Sequence, residues 1–221
     1  MSWEIFERAA GSYEDWYNDP RGWRADRAER ELLDWLFASF PGARSLLEIG
    51  CGTGHFSEWL AERSIRVVGL ERAPAMLAEM RRNLPGIPAV LGDAHRLPFR
   101  DGVSDLVLFV TTLEFLDDPD RALAEAIRVA RHGIILVVLN RWSVGGLSRR
   151  WGSQANKPLL GRAQDYSISS LRAAVARAAG QRWKGIRWSS TLFPACMWNL
   201  RGSVPLGDVI GMAVALSLIQ P

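Results

Sequence analysis

Three glycines set two residues apart, Gly50, Gly52 and Gly54, follow an acidic residue at Glu48 and lead into His55-Phe56. Glycine at such positions lets the chain take positive φ and brings main-chain N–H groups against a ligand with no Cβ in the way. Leu46, Leu47 and Ile49 form a short apolar run before the loop, as in a central parallel strand buried on both faces. Phe56, Trp59 and Leu60 then recur at helical spacing. The loop therefore opens onto a helix N-terminus, with its free amides and partial positive charge. Such a unit can hold a nucleotide-like group through its backbone. A dinucleotide fingerprint has the spacing G-x-G-x-x-G; here His55 stands where the third glycine would fall.

Further residues of chemical interest come in order. Glu71 stands at the C-terminal end of a second expected strand, Arg66 to Glu71, about 20 residues past the loop, the spacing at which an acid reaches a ribose diol. Arg72 follows it. Asp93 sits in a turn, Gly92-Asp93-Ala94-His95, after a short strand reaching Leu91. Read without a ligand, it is an Asx-turn. A strand over 103–110 ends at Val110, and Thr111-Thr112-Leu113-Glu114-Phe115 then lies at the C-terminal edge where parallel sheets bind ligands. Asn140-Arg141-Trp142 reaches the same edge after the apolar run 134–139. The two cysteines and three histidines show no close ligand spacing, so no metal site is expected. His55 reads as a helix-start residue, His95 as the rim of the Asp93 turn, and His132 as a surface turn.

The loop Glu48-x-Gly50-x-Gly52-x-Gly54 resembles motif I of the class I S-adenosylmethionine-dependent methyltransferases. Gly-Asp-Ala-x-x-Leu-Pro-Phe over 92–99 is similar to that family's adenine-binding turn, and Asp101 to Val107 to its entry into the fourth strand. Ala-x-x-Tyr-x-x-Trp-Tyr over 10–17 resembles the N-terminal lid helix of its small-molecule members. The resemblance covers roughly 10–192, is strongest over 44–140, and is nearest the ubiquinone/menaquinone-biosynthesis-like branch.

The resemblance implies a Rossmann-like α/β three-layer sandwich with a seven-stranded, mostly parallel sheet of order 3-2-1-4-5-7-6 and an antiparallel seventh strand. It implies S-adenosyl-L-methionine as cofactor and S-adenosyl-L-homocysteine as product. The cofactor residues it implies are Glu48, Gly50, Cys51, Gly52 and Gly54 of the loop, Glu71 and Arg72, Asp93 and Ala94, Val110, and Tyr13 and Tyr17 of the lid. Thr111, Thr112, Phe115, Arg141 and Trp142 are expected to line the acceptor pocket. Glu114 is the candidate base, needed only if the acceptor arrives protonated. The activity implied is in-line methyl transfer to a small-molecule acceptor, driven mainly by positioning. Two alternatives stay open: a non-catalytic protein that binds S-adenosylmethionine, and a nucleic-acid methyltransferase. Against the latter, no Asn/Asp-Pro-Pro-Tyr/Phe segment follows the fourth strand.

The elements that must position these residues are also legible. Aromatic residues at helical spacing over 3–19 predict a first helix. Ala28, Leu32, Trp35 and Leu36 predict a second over 23–39. Helices follow over 54–63, from Pro74 with Met76, Leu77 and Met80 inward, and after Asp118-Pro119. His132-Gly133 reads as the turn into the strand 134–139. Ser167 reads as the N-cap of a helix ended by Gly180. Strands are expected over 182–191 and 209–219. A single domain over 1–221 is expected, with a helical lid at 1–40 and an irregular insertion over the site at 141–166.

Composition is that of a globular chain: 221 residues, 48% apolar and 23% charged. Two cysteines, one inside the glycine loop, suit a reducing cytoplasmic setting. The N-terminus shows no signal-peptide pattern, and the longest apolar run is too short to cross a bilayer. The net charge of +3 is split: residues 1–140 hold 16 basic and 22 acidic residues, residues 141–221 hold 11 and 2. The latter also hold Trp142, Trp151, Trp183, Trp188 and Trp198. That composition suits an anionic, partly apolar acceptor or peripheral contact with a membrane surface.

Overall fold

The computed structural model describes residues 3–143, 147, 163–192 and 207–217. Seven strands form one sheet: β1 (Ser45–Ile49), β2 (Arg66–Glu71), β3 (Ala89–Leu91), β4 (Ser104–Val110), β5 (Ala130–Leu139), β6 (Trp183–Thr191) and β7 (Val209–Leu216). Their order is β3-β2-β1-β4-β5-β7-β6. The first five are parallel, and β7 runs antiparallel to both β5 and β6. This is the expected sheet.

Both faces are covered, which is why the central strands read as unbroken apolar runs. Alternate residues of each strand serve opposite layers. Val107 and Phe109 pack with Leu123, Ala126 and Ile127 of α6 (Pro119–Val129) and with Leu171 and Val175 of α7 (Ile168–Ala179). Leu106, Leu108 and Val110 pack with Leu32, Leu33 and Leu36 of α3 (Pro20–Phe37) and with Phe56, Trp59 and Leu60 of α4 (His55–Ala61). Ser167 caps α7 in a reciprocal capping box with Ser170.

Several boundaries differ from expectation. Residues 3–19 are not one helix. They form α1 (Glu4–Ala9), a 3-10 turn (Ala10–Ser12) and α2 (Asp15–Asn18), broken around Gly11. α3 begins at Pro20, where the Asp19 side chain accepts from Arg21 N at 2.8 Å. Its buried face uses Leu33; Trp35 instead stays 38% exposed, with the Arg187 guanidinium 3.7 Å from its ring centroid. His132-Gly133 is no turn, because β5 already runs from Ala130. Gly133 is needed there for closeness: a Cβ would lie 2.4 Å from Phe40 Cζ and 2.5 Å from Val214 O. Within the expected insertion, residues 144–146 and 148–162 lie outside the described residues. Its flanks meet at the end of β5, where Arg141 N donates to Tyr166 O at 2.7 Å and Tyr166 N to Leu139 O at 2.9 Å. β7 ends at Leu216, and residues 218–221 lie outside the described ones.

At the edge away from the loop, Asp105 ties three strands together. Its Oδ2 accepts from Arg44 N and Ser45 N at 3.0 and 3.1 Å, and its Oδ1 from Arg131 Nη1 at 2.8 Å. Burial works against its charge. The amides of Arg44 and Ser45 and the Arg131 guanidinium outweigh burial and hold the carboxyl below its usual range. A lowered folded-state pKa gives stability that is complete above the unfolded value near 3.9 and is lost as pH falls through the folded one. Asp105→Asn is therefore expected to cost about 2 kcal/mol at neutral pH. Urea unfolding across pH should show that cost shrinking toward zero under acid.

Candidate functional site: a cleft at the glycine loop

Each glycine of the loop is required for a different reason. All three have positive φ: +72° at Gly50, +56° at Gly52 and +96° at Gly54. A Cβ on Gly50 would lie 2.3 Å from Thr112 Cγ2, and one on Gly54 would lie 2.6 Å from Leu84 Cδ1. A Cβ on Gly52 would meet nothing within 4 Å. Gly50 thus lets the end of β4 approach, Gly54 seats the loop against α5 (Pro74–Asn83), and Gly52 borders open space.

Parallel pairing of β1 with β2 puts Glu71 beside the loop. Its Oε1 accepts from Arg72 N and Ala73 N, both at 2.8 Å, and its Oε2 from Gly52 N at 3.0 Å. Burial raises its pKa; the three amides pull the other way without cancelling the rise. A carboxylate has about four lone-pair positions. Three are used here, so one on Oε2 stays open.

The cleft holds about 730 Å³ of empty space, part of it open to solvent. Its walls come from the C-terminal ends of four strands: Ile49, Gly50 and Gly52; Leu70, Glu71 and Arg72; Gly92 to His95; and Val110, Thr111, Thr112 and Phe115. Thr111 takes a left-handed φ of +47°, rare for a β-branched residue. The N-terminal segment supplies Trp3, Phe6 and Tyr13. Phe6 meets Phe115 edge to face, with ring centroids 4.9 Å apart. Burial pushes the Tyr13 phenol up to about 12, so it is a neutral donor.

The expected residues divide cleanly. Gly50, Gly52, Glu71, Arg72, Asp93, Ala94, Val110, Tyr13, Thr111, Thr112 and Phe115 come together in the cleft. Glu48, Cys51, Gly54, Tyr17, Glu114, Arg141 and Trp142 do not line it. Glu48 lies behind the loop, accepting from the Ser57 hydroxyl, and burial pushes it up to about 7. Cys51 packs its Sγ 3.3 Å from Met80 Sδ. Tyr17 stacks on His55, ring centroids 3.6 Å apart. Trp142 is 56% exposed. Glu114 is the largest departure. The 3-10 turn Leu113–Phe115 buries it: Oε1 accepts from Leu139 N at 2.5 Å, and Oε2 has no hydrogen-bond partner. Burial pushes its carboxyl up to about 8. A protonated carboxyl outside the cleft is not placed to act as a base there. Trp3, Phe6, Ile49, Leu70, Met76, Gly92, Leu116 and Asp117 were missed as lining residues, and His95 is a full wall residue and not only rim. Trp3 and Phe6 share the aromatic spacing that singled out Tyr13, and that signal could have found them.

Two contacts fasten the N-terminal helices beside the cleft. Glu7 Oε2 accepts from Ala75 N at 2.9 Å, at the start of α5. The second clasp centres on His55. Its Nε2 lies 2.6 Å from Asp26 Oδ1 and 3.0 Å from Arg30 Nη2, its Nδ1 lies 3.5 Å from Glu14, and Tyr17 covers its face. Thr53 of the loop donates to Glu14. Among the described residues, no three His, Cys, Asp or Glu side chains converge as a metal site.

Two predictions follow from this geometry. Gly50→Ala combines strained φ with a clash and is expected to cost more than about 2 kcal/mol, whereas Gly52→Ala costs about 1 kcal/mol from φ alone; thermal unfolding separates them. Burial disfavours the His55 imidazolium, but Glu14 and Asp26 outweigh it, so its pKa is raised. A raised folded-state pKa gives stability that is complete below the unfolded value near 6.5 and is lost as pH rises through the folded one. Hydrogen exchange, corrected for its intrinsic pH dependence, should show α1 and α2 losing protection with rising pH. In His55→Gln that dependence should shrink to the part that the raised Glu29 carboxyl of the same cluster contributes.

Comparison with known proteins accords with this architecture. A family described as methyltransferase domain matches residues 47–138. The chain is 36% identical over 148 residues to a malonyl-[acyl-carrier protein] O-methyltransferase of Serratia marcescens, a match spanning 66% of this chain and 55% of that protein, about half its length. It is 31% identical over 173 residues to an uncharacterized methyltransferase of Mycobacterium bovis, covering 78% of this chain and 68% of that one. Among solved structures, a SAM-dependent methyltransferase from Thermotoga maritima, described as a possible histamine N-methyltransferase, superposes with a TM-score of 0.77. It is 28% identical, and the match covers 96% of this chain and 99% of that one. With the glycine loop, the Glu71 hook and the 3-2-1-4-5-7-6 sheet in place, the chain belongs to the class I S-adenosylmethionine-dependent methyltransferases.

Proposed function

We propose that this protein transfers a methyl group from S-adenosyl-L-methionine to a small-molecule acceptor. The observation that carries this reading is the Glu71 carboxylate, which braces the Gly52 amide and keeps one lone pair open in the cleft wall. That lone pair takes one ribose hydroxyl; the second hydroxyl must share an oxygen already holding an amide. Asp93 and the Ala94 amide face the base. Ile49, Leu70 and Met76 supply apolar surface for it, and all of them line the cleft. Gly52, with nothing where its Cβ would be, lets the main chain pass close to the amino-acid end. Tyr13 adds a hydroxyl from the lid.

When bound, the cofactor supplies a methyl carbon already activated by its sulfonium. What remains for the protein is orientation, which can supply about 7–11 kcal/mol of barrier lowering. Thr111, Thr112 and Phe115 are the residues we assign to hold the acceptor, at the mouth of β4. No base is assigned, since Glu114 is buried away from the cleft. Support for an anionic acceptor or membrane contact is limited to the composition of residues 141–221: the described cleft wall has Arg72 among Glu71, Asp93 and Asp117. No helix among the described residues is long and apolar enough to cross a membrane. A cytoplasmic setting is part of the same reading, supported by the free, buried Cys51 thiol beneath the loop.

Calorimetry with S-adenosylmethionine and S-adenosylhomocysteine tests the cofactor, and turnover of labelled methyl against an acceptor panel tests transfer. Glu71→Gln turns an amide N–H toward donors and is expected to weaken cofactor binding about 10- to 100-fold. No heat with either ligand in the wild type would sink the reading.

A further inference from the structure

We infer that His95 is a positioning residue for base selectivity: it clamps one oxygen of Asp93 and leaves the other as the acceptor offered to the amino group of a purine in the cleft. The inference deepens the cofactor reading above and rests on it.

Its neighbours fix the tautomer of His95. His95 Nε2 lies 3.2 Å from Asp118 N, a main-chain N–H that can only donate. Nε2 must therefore present its lone pair, and the neutral ring then carries its proton on Nδ1. Nδ1 faces Asp93 Oδ1 at 2.6 Å, so the ring donates to the carboxylate. The same oxygen also accepts from His95 N at 3.0 Å. Oδ1 is thus saturated by one residue through two donors.

The other partners hold this arrangement in place. Asp118 caps α6, and its Oδ1 accepts from Arg121 N at 3.1 Å. Arg121 Nε in turn donates to His95 O at 2.9 Å. The imidazole is held at both nitrogens and through its own carbonyl, and its side chain is only 12% exposed. Asp93 Oδ2 has a looser partner, Arg72 Nη1 at 3.4 Å, and the Asp93 side chain is 40% exposed. Both Asp93 and His95 line the cleft.

The chemical consequence is discrimination between amino and oxo bases. An ionised carboxylate only accepts hydrogen bonds. An adenine amino group can donate to Oδ2, whereas the oxo group of hypoxanthine would set lone pair against lone pair. The χ2 torsion of aspartate is soft and two-fold. Without the His95 clamp, the carboxylate is free to rotate and the acceptor is no longer held in place.

The test is calorimetric titration of S-adenosylhomocysteine and its deaminated inosine analogue into the wild type, His95→Asn, His95→Gln and His95→Ala. Asparagine places an amide N–H where Nδ1–H stands; glutamine reaches the Nε2 position instead. The wild type is expected to prefer the amino ligand about 10- to 100-fold, the worth of one hydrogen bond to a charged acceptor. His95→Ala and His95→Gln should cut that ratio about tenfold, and His95→Asn should keep it within about threefold. Should His95→Ala fail to fold, the contrast between Asn and Gln still decides. An unchanged ratio in His95→Gln, or equal loss for both ligands, overturns the role of His95. A wild type that binds neither ligand overturns the cofactor reading itself.

Discussion

One carboxylate with three main-chain donors holds the working end of this molecule together. The loop after β1 must leave the sheet, and its amides need partners or a ligand. Gly50 N and Cys51 N turn back to Leu70 O, at 2.7 and 3.2 Å, and Gly52 N goes to Glu71 Oε2. Glu71 thereby fixes the loop from the neighbouring strand, and through Arg72 N and Ala73 N it also fixes the start of α5. The close fit beneath depends on small residues. A Cβ on Gly69 of β2 would lie 2.7 Å from Cys51 Sγ, so only glycine lets the loop settle there.

The N-terminal helices are organised on the same loop. Thr53 and His55, just past the open glycine, hold Glu14 and Asp26, and Tyr17 stacks on the imidazole. Residues that precede β1 thus complete a cleft built from strand ends. The hydrogen bonds that secure them are polar and partly exposed, unlike the apolar layers under α3 and α6, so this is the part able to open locally while the sheet stays intact. The same cluster includes Glu29, whose carboxyl burial and Asp26 push up to about 7.

Much of this arrangement could be read before any coordinates. Unbroken apolar runs mark strands buried on both faces, and β1, β4 and β5 stand where those runs are. Glu71 and Asp93 were legible because an acid at a strand's C-terminal end has few places to point except the ligand edge. Glu48 and Cys51 stand apart from the cleft because spacing gives a residue's neighbourhood and not its side: both lie behind the loop, against Ser57 and Met80. Glu114 stands outside the cleft because a single 3-10 turn, invisible in the pattern, buries it against the end of β5. His132-Gly133 looked like a turn because glycine has two uses, freedom of φ and closeness, and here Phe40 and the β7 backbone demand the second. His95 needed contacts from Asp118, distant in sequence, before its part in the Asp93 turn could be seen.

The position of β7 has a consequence for how the protein is made. It is the last of the seven strands in chain order, yet it lies inside the sheet, bonded to β5 on one side and β6 on the other. Until residues 209–216 clear the ribosome, β5 presents a bare, apolar edge and β6 has no neighbour to pair with. Synthesis proceeds at about 5–20 residues per second, and open strand edges invite pairing with other chains. The first five strands can assemble on the nascent chain, but the sheet closes only once this strand slots in. Its insertion is the step at which pairing with other chains competes with completion of the sheet.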